Sequence, residues 1–283
     1  MPPRRQPTAR QVRLGVELRK LREAAGITGR EAAELMSVNS IQVSQIESGR
    51  AGVSEERLRR LAANYACANN ELIDALVDLA TDRTRGWWEE YRGILPAPFL
   101  DLSELEHHAR FLRVIGTAHV PGILQTEDYA RAVFSYMVPE LPPGELDSWV
   151  AHRLHRRVVL EREAPFEYEA VLHESVLRVK VGDRKLARAQ LVEISAVMER
   201  PNVSVRVVPF EADGFGGANS SLMWAGGPLP RLDTVHRDTP QGSAFVDAEA
   251  QLDRARALFR KVEEASLTPT ASRDFIHQLV HEL

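Results

Sequence analysis

A chain of 283 residues, 44% hydrophobic and 27% charged, is long enough for two folded domains and ordinary enough in composition to bury a core in each. No apolar run approaches the roughly 18 residues that span a bilayer, the N-terminal "MPPRRQPTARQ" lacks the apolar stretch of a signal peptide, and the single cysteine, Cys67, excludes an intrachain disulfide. The formal charge of −4 is unevenly spread: residues 1–69 hold 12 Lys+Arg against 7 Asp+Glu, and residues 70–283 hold 24 against 33. A cytoplasmic protein is therefore expected, with no membrane association, and its basic excess at the N-terminal end is suited to phosphates. Cys67 is expected to be a small buried side chain.

The N-terminal elements read as short helices. "RLGVELRKLREAAG" (Arg13–Gly26) places Leu14, Leu18, Leu21 and Ala25 on one face, with Gly26 as a left-handed stop. Thr28 and Glu31 have the spacing of a capping box for a second helix, in which Ala32, Leu35 and Met36 face inward and Ala33 permits close packing. Asn39 caps a third helix, Ser40–Ser48, closed by Gly49. At about 100° per residue, Val43 and Ile46 of this helix point inward with Val38, and Ser40, Ile41, Ser44 and Gln45 point outward. That outward set is short, uncharged and carries one β-branched apolar residue. A solvated helix more often carries Lys and Glu there. Glutamine bonds adenine bidentately, serine donates or accepts, and an apolar side chain touches a thymine methyl, so the face suits a DNA major groove. On these residues alone, a plain surface remains the alternative. Ser54 caps a fourth helix with Leu58, Leu61 and Ala62 inward, and "NNELIDALVDLATD" is a fifth with Leu72, Ile73, Leu76 and Leu79 on its apolar side.

The remainder mixes helices and strands. "RGWWEEYRGILPAPF" reads as a helix ended by Pro96 and Pro98, its Trp87, Trp88 and Tyr91 docking onto a neighbouring domain, with an aromatic ligand pocket as the alternative. A strand, a Pro-Gly turn and a helix capped by Thr126 follow, then a long helix after Pro143 running through "HRLHRRVVLERE". Strand-like runs lie at "FEYEAVLHESVLRV", "VSVRVVPFE", "SSLMWAG", "LDTVHRD" and "SAFVDA", with a helix over Lys185–Glu199 and two terminal helices over Ala248–Glu264 and Pro269–Leu283. The pattern is α+β. His152 and His155 are read as a solvated or interface face because Arg153, Arg156 and Arg157 oppose a metal, and His277 with His281 lack a third ligand. "DGFGGANSS" (Asp213–Ser221) lacks the Lys and helix of a phosphate cradle and is read as a mobile connection.

Over residues 13–75, the pattern "LRKLREAAGIT" followed by "VSQIESGR" resembles a lambda-repressor-like (XRE-type) helix-turn-helix domain. The resemblance implies that Ser40, Ile41, Ser44 and Gln45 face bases, with Asn39 capping their helix. It also implies that Gln42, Arg50 and Arg30 hold phosphates, and that Glu47 forms a structural ion pair with Arg22 rather than facing DNA. Gly29 and Ser37 depart from the family, which often has a phosphate-contacting Gln and a turn Gly at these positions. Further on, "RGWWEEYRGILP", "VPGILQTEDYARAV", "RLHRRVVLERE" and "RPNVSVRVVPFEAD" resemble, in that order, the bacterial domain of unknown function 5753 (DUF5753), found in regulators similar to the WhiJ repressors. The two resemblances together imply a mainly α five-helix domain over residues 1–80 and an α+β regulatory or partner-binding domain over residues 81–283. The expected protein is not an enzyme and needs no cofactor or metal. It is a sequence-specific regulator, a repressor that binds a double-stranded DNA operator as a homodimer, and its second domain dimerises and senses a ligand or a small protein partner. The alternative is an antitoxin-like protein that neutralises a small partner and regulates itself through DNA.

Overall fold

The computed structural model describes residues 6–82, 84–136, 140–142, 144–162, 166–213, 215, 221–239 and 242–283. Most of the Gly-rich Asp213–Ser221 stretch and Pro143 lie outside the described residues. The chain divides into two compact units, Met1–Trp87 and Trp88–Leu283.

The first unit is five helices: α1 Ala9–Ala24, α2 Gly29–Met36, α3 Ser40–Glu47, α4 Glu55–Asn64 and α5 Asn70–Thr81. Each begins on a Thr, Asn or Ser (Thr8, Thr28, Asn39, Ser54, Asn69) whose side-chain oxygen accepts from a backbone N–H in the first turn. Such a cap contributes about 1 kcal/mol, a large share of the stability of helices this short. Leu18, Ala32, Leu58, Ala62, Leu72 and Leu76 are fully buried between them. Among the expected core positions, Val38 and Leu79 are half-buried and two are exposed. Ala25 is exposed because it forms the C-cap of α1, and Leu35 is 41% exposed because the eight-residue α2 turns Ala32, Ala33 and Met36 inward instead. Cys67, expected to be buried, is half-buried.

The second unit is built on a six-stranded sheet of β1 Phe111–Gly116, β2 Glu167–His173, β3 Val203–Val208, β4 Leu222–Gly226, β5 Thr234–Thr239 and β6 Gly242–Val246. The order is β3-β2-β1-β4-β5-β6. Strands β1, β2 and β3 are parallel neighbours, and β1 also pairs antiparallel with β4, from which β5 and β6 continue antiparallel. Its helices are α6 Ala97–His108, α7 Glu127–Ser135, α8 Leu146–His155, α9 Glu174–Arg178, α10 Arg184–Val197, α11 Glu249–Glu264 and α12 Pro269–Glu282. Alternation along the strands feeds two cores. Leu112, Val114, Tyr168, Val205 and Met223 pack with α10 and α12 through Leu191, Ile194 and Ile276. Ile115, Val171, Trp224 and Val235 pack on the other face against Leu252, Ala255 and Phe259 of α11. With both faces covered, β1 reads as a nearly continuous apolar run.

Four sequence expectations are corrected here. Pro96 and Pro98 start a helix rather than end one: Pro98 lies in the first turn of α6, where the missing N–H costs nothing, and the preceding Trp87–Tyr91 is a 3-10 turn. The long helix breaks at Arg156 into a 3-10 segment, Arg156–Glu161, whose three-residue period aligns buried Arg156 with buried Val159. The run after Phe166 is not all strand, because His173 caps α9 through Ser175 N–H. His152 is not solvated: it is 1% exposed, its Nε2 lies 3.1 Å from Ser103 Oγ, and Tyr91 and Phe99 flank its ring. His155, His277 and His281 are exposed. Among the described residues, no group of three or more His, Cys, Asp or Glu side chains could hold a metal ion, and no helix is long and apolar enough to cross a membrane.

Candidate nucleic-acid interface

The α2–turn–α3 unit is fixed at every joint. At its start, Thr28 Oγ1 accepts from Glu31 N–H (3.2 Å) and Glu31 Oε2 accepts from Thr28 N–H (2.7 Å). The bond from Thr28 N–H first, and then one from the Thr28 hydroxyl to Oε2 (2.7 Å), draw the Glu31 carboxyl below its usual range. At the turn, Ser37 adopts the left-handed conformation (φ 55°, ψ 44°), and Val38 N–H returns to Ala33 C=O at 2.9 Å. Asn39 Oδ1 then accepts from Gln42 N–H at 2.8 Å and opens α3.

Val43 and Ile46 seat α3 in the core, 4% and 3% exposed. Two glycines let the α1 backbone meet its C-terminal end. A Cβ on Gly15 would lie 2.4 Å from Glu47 C=O, and one on Gly49 would lie 2.7 Å from the backbone carbonyl carbon of Gln11. Gly49 also has φ +73°, so it closes the helix and permits the approach at once. The role of Gly15 goes unseen in a reading of helix faces. Its one signal is a glycine inside a helix, where it costs about 1 kcal/mol relative to alanine and so implies a packing reason.

Glu47 does not face outward. Its carboxylate accepts two bonds from Arg22, from Nε at 2.6 Å and from Nη2 at 3.0 Å, and Arg22 Nη1 donates to Ile27 C=O at 2.7 Å. This fork ties α1, the α1–α2 loop and α3 together, and the bonds to Glu47 raise the Arg22 pKa. Burial, and then the Glu47 charge, push the neighbouring Tyr65 hydroxyl up to about 12.

What remains outside is the set Ser40, Ile41, Ser44 and Gln45, all exposed, with Ile41 at 66%. Gln42 is half-buried at their edge. Arg50 is exposed just past the helix, and its N–H donates to Gln45 C=O at 2.8 Å, which holds the loop against the end of α3. Arg30 extends into solvent from the first turn of α2, 3.3 Å from Glu34. Arg60, not singled out by sequence, donates to Leu35 C=O at 3.0 Å and joins α4 to the end of α2. The arrangement is a rigid short helix with hydrogen-bonding and apolar groups on its free side and guanidinium groups at the margins, the chemistry that reads base edges between two phosphate backbones.

These features define a helix-turn-helix DNA-binding regulator, and residues 13–76 match the family model of a helix-turn-helix domain. Residues 99–278 match the family model of a domain of unknown function, DUF5753, and the chain belongs to that family. No curated protein and no solved structure matches it.

Proposed function

We propose that the protein is a transcriptional repressor that binds a two-fold operator as a homodimer, its first unit reading DNA and its second sensing an effector. The observation that carries this reading is the exposed, uncharged face of α3, Ser40, Ile41, Ser44 and Gln45, on a helix fixed by the Arg22–Glu47 fork. In this reading Ser40, Ile41, Ser44 and Gln45 contact bases. Gln42, Arg50 and Arg30 contact phosphates, and Asn39 holds the N-terminal end of α3 at the groove. Occupancy of a promoter blocks transcription, and an effector that favours a different geometry of the dimer releases it.

Genome-wide binding of the protein in its host, with footprinting of its own promoter and a reporter driven from that promoter, tests the proposal. The expected result is a footprint with two related half-sites and a reporter that rises when the protein is deleted. A reporter that falls on deletion overturns repression, and a footprint without half-site symmetry overturns the dimer.

A further inference from the structure

The second unit has a partly open cavity of about 350 Å³ between α6, α7 and α8 and the sheet, in the size range of small-molecule sites. Much of its wall is apolar, with Leu102, Val114, Ile123, Val133, Phe134 and Met223 lining it. Set into that wall are three buried polar atoms with no hydrogen-bond partner among the described residues: Arg153 Nε, the Tyr168 hydroxyl and His236 Nε2, the last 3.7 Å from Asp238 Oδ1. Tyr168 is 1% exposed and His236 6%. Buried polar groups are almost always paired, so three unpaired ones around one apolar cavity mark a place where a ligand completes the bonding.

The charges in the wall fix the sign of that ligand. Arg156 is already neutralised, its guanidinium forked onto buried Glu106 with Nε 2.8 Å from Oε2. Arg153, one turn earlier, has only neutral neighbours in direct contact: Nη1 donates to Gln125 Oε1 at 2.9 Å, and the guanidinium lies over the Phe134 ring at 4.4 Å. The acidic groups that act on it do so from a distance. Glu106 is committed to Arg156, and Asp238, which also lines the cavity, is 79% exposed and lies 3.7 Å from His236 Nε2. Among the described residues, Arg153 is thus the guanidinium of the lining that no carboxylate contacts. Burial, and then repulsion from Arg156, pull the Arg153 pKa down to about 9.

We propose that this cavity binds a small amphipathic carboxylic acid, its carboxylate on the Arg153 guanidinium and its apolar body along Ile123, Phe134 and Met223. Tyr168 and His236 offer hydrogen bonds to its polar atoms. A single negative charge matches the guanidinium that no carboxylate contacts, whereas a phosphate dianion would leave one charge buried in excess. The assignment rests on the reading that this unit senses an effector, and names the chemical class of that effector.

Calorimetric titration and thermal unfolding of the full chain with octanoate and phenylacetate, each against its neutral alcohol (octan-1-ol, 2-phenylethanol), test it. At least one acid is expected to bind tenfold or more tightly than its alcohol and to raise the unfolding temperature. Arg153→Met is expected to remove that preference and still unfold cooperatively, the relief of a charge without a contacting carboxylate being offset by the donor that buried Gln125 Oε1 loses. Tyr168→Phe, which deletes only a hydroxyl without a hydrogen-bond partner among the described residues, is expected to fold unchanged and weaken the acid severalfold. Equal binding of acid and alcohol, an acid preference that survives Arg153→Met, or octyl phosphate binding more tightly than octanoate overturns the assignment. Operator binding measured on the same samples keeps the two claims apart. A wild type without acid preference but with intact DNA binding overturns the cavity alone, and a wild type with the preference but no operator binding overturns the DNA reading alone.

Discussion

Ser37 occupies a left-handed conformation, φ 55°, in which a Cβ crowds the following carbonyl at a cost of about 1–2 kcal/mol. Ser37→Gly removes that crowding at some cost in unfolded-state entropy. The expected outcome is a gain of about 1 kcal/mol for the first unit, read by urea unfolding, with DNA affinity unchanged. Glu47→Ala has the opposite sign. It leaves the Arg22 guanidinium, 10% exposed, without its two-bond partner. Buried pairs cost about 3–5 kcal/mol to break and exposed ones below about 1, so this mostly buried pair, with Arg22 still bonded to Ile27 C=O, is expected to cost about 2–3 kcal/mol in the same measurement. His152 sets a pH dependence. Burial first, then Arg156, Arg153 and His155, pull its pKa down to about 3 from 6.5. Between those values the unfolded chain takes up a proton that the folded chain refuses. Stability is thus full above about pH 6.5 and falls toward pH 3, by up to about 1.4 kcal/mol per pH unit. His152→Gln, which cannot take up that proton, is expected to flatten the fall of unfolding temperature between pH 7 and pH 5. His236, also shifted down by burial, leaves a residual slope of the same sign.

Among the elements, the joint between α1 and α3 carries the sharpest prediction. Alanine is the better helix former by about 1 kcal/mol, yet on Gly15 its Cβ would stand 2.4 Å from Glu47 C=O. Backbone cannot yield as a flexible side chain does, so Gly15→Ala is expected to destabilise the first unit by about 1–3 kcal/mol despite its propensity. A rise in stability would show that the two helices can part without cost. The same scale shows what the sequence made legible. All five N-terminal helices follow from local signals, namely cap residues such as Thr28 and Asn39 and the period of Leu14, Leu18 and Leu21. In the second unit the strand runs and the helices α7, α10, α11 and α12 are legible, but the ends and breaks of the other helices are not. Pro96–Pro98 is compatible with either end of a helix, and only the packing of α6 chooses the start. The break at Arg156 follows from a partner, Glu106, fifty residues away, which no local pattern contains. His152 looked solvated for the same reason: its partners Ser103, Tyr91 and Phe99 come from other segments.

For the whole molecule, the charge division matters more than the net charge of −4, because the basic excess falls in the residues that carry α3. The set proposed to face DNA can be read from the sequence because one short helix carries most of it. The cavity of the second unit cannot, because its wall draws on α6, α7, α8 and several strands. Arg50 follows α3 and is proposed to hold a phosphate. Arg50→Ala is therefore expected to weaken binding to all duplexes alike and to lower the slope of log affinity against log salt by about 1. A loss confined to one sequence would instead make it a base reader. The central claim, that the free face of α3 reads DNA sequence, is tested most directly by selecting duplexes from a randomised pool with the full chain, then titrating wild type and Gln45→Ala on the selected and a scrambled site. The account predicts an enriched two-fold motif with half-sites about one helical turn apart. It also predicts a loss of about 1–3 kcal/mol for Gln45→Ala on that motif and none on the scrambled duplex. A pool that yields no motif, or a variant that binds the motif as tightly as wild type, would contradict it.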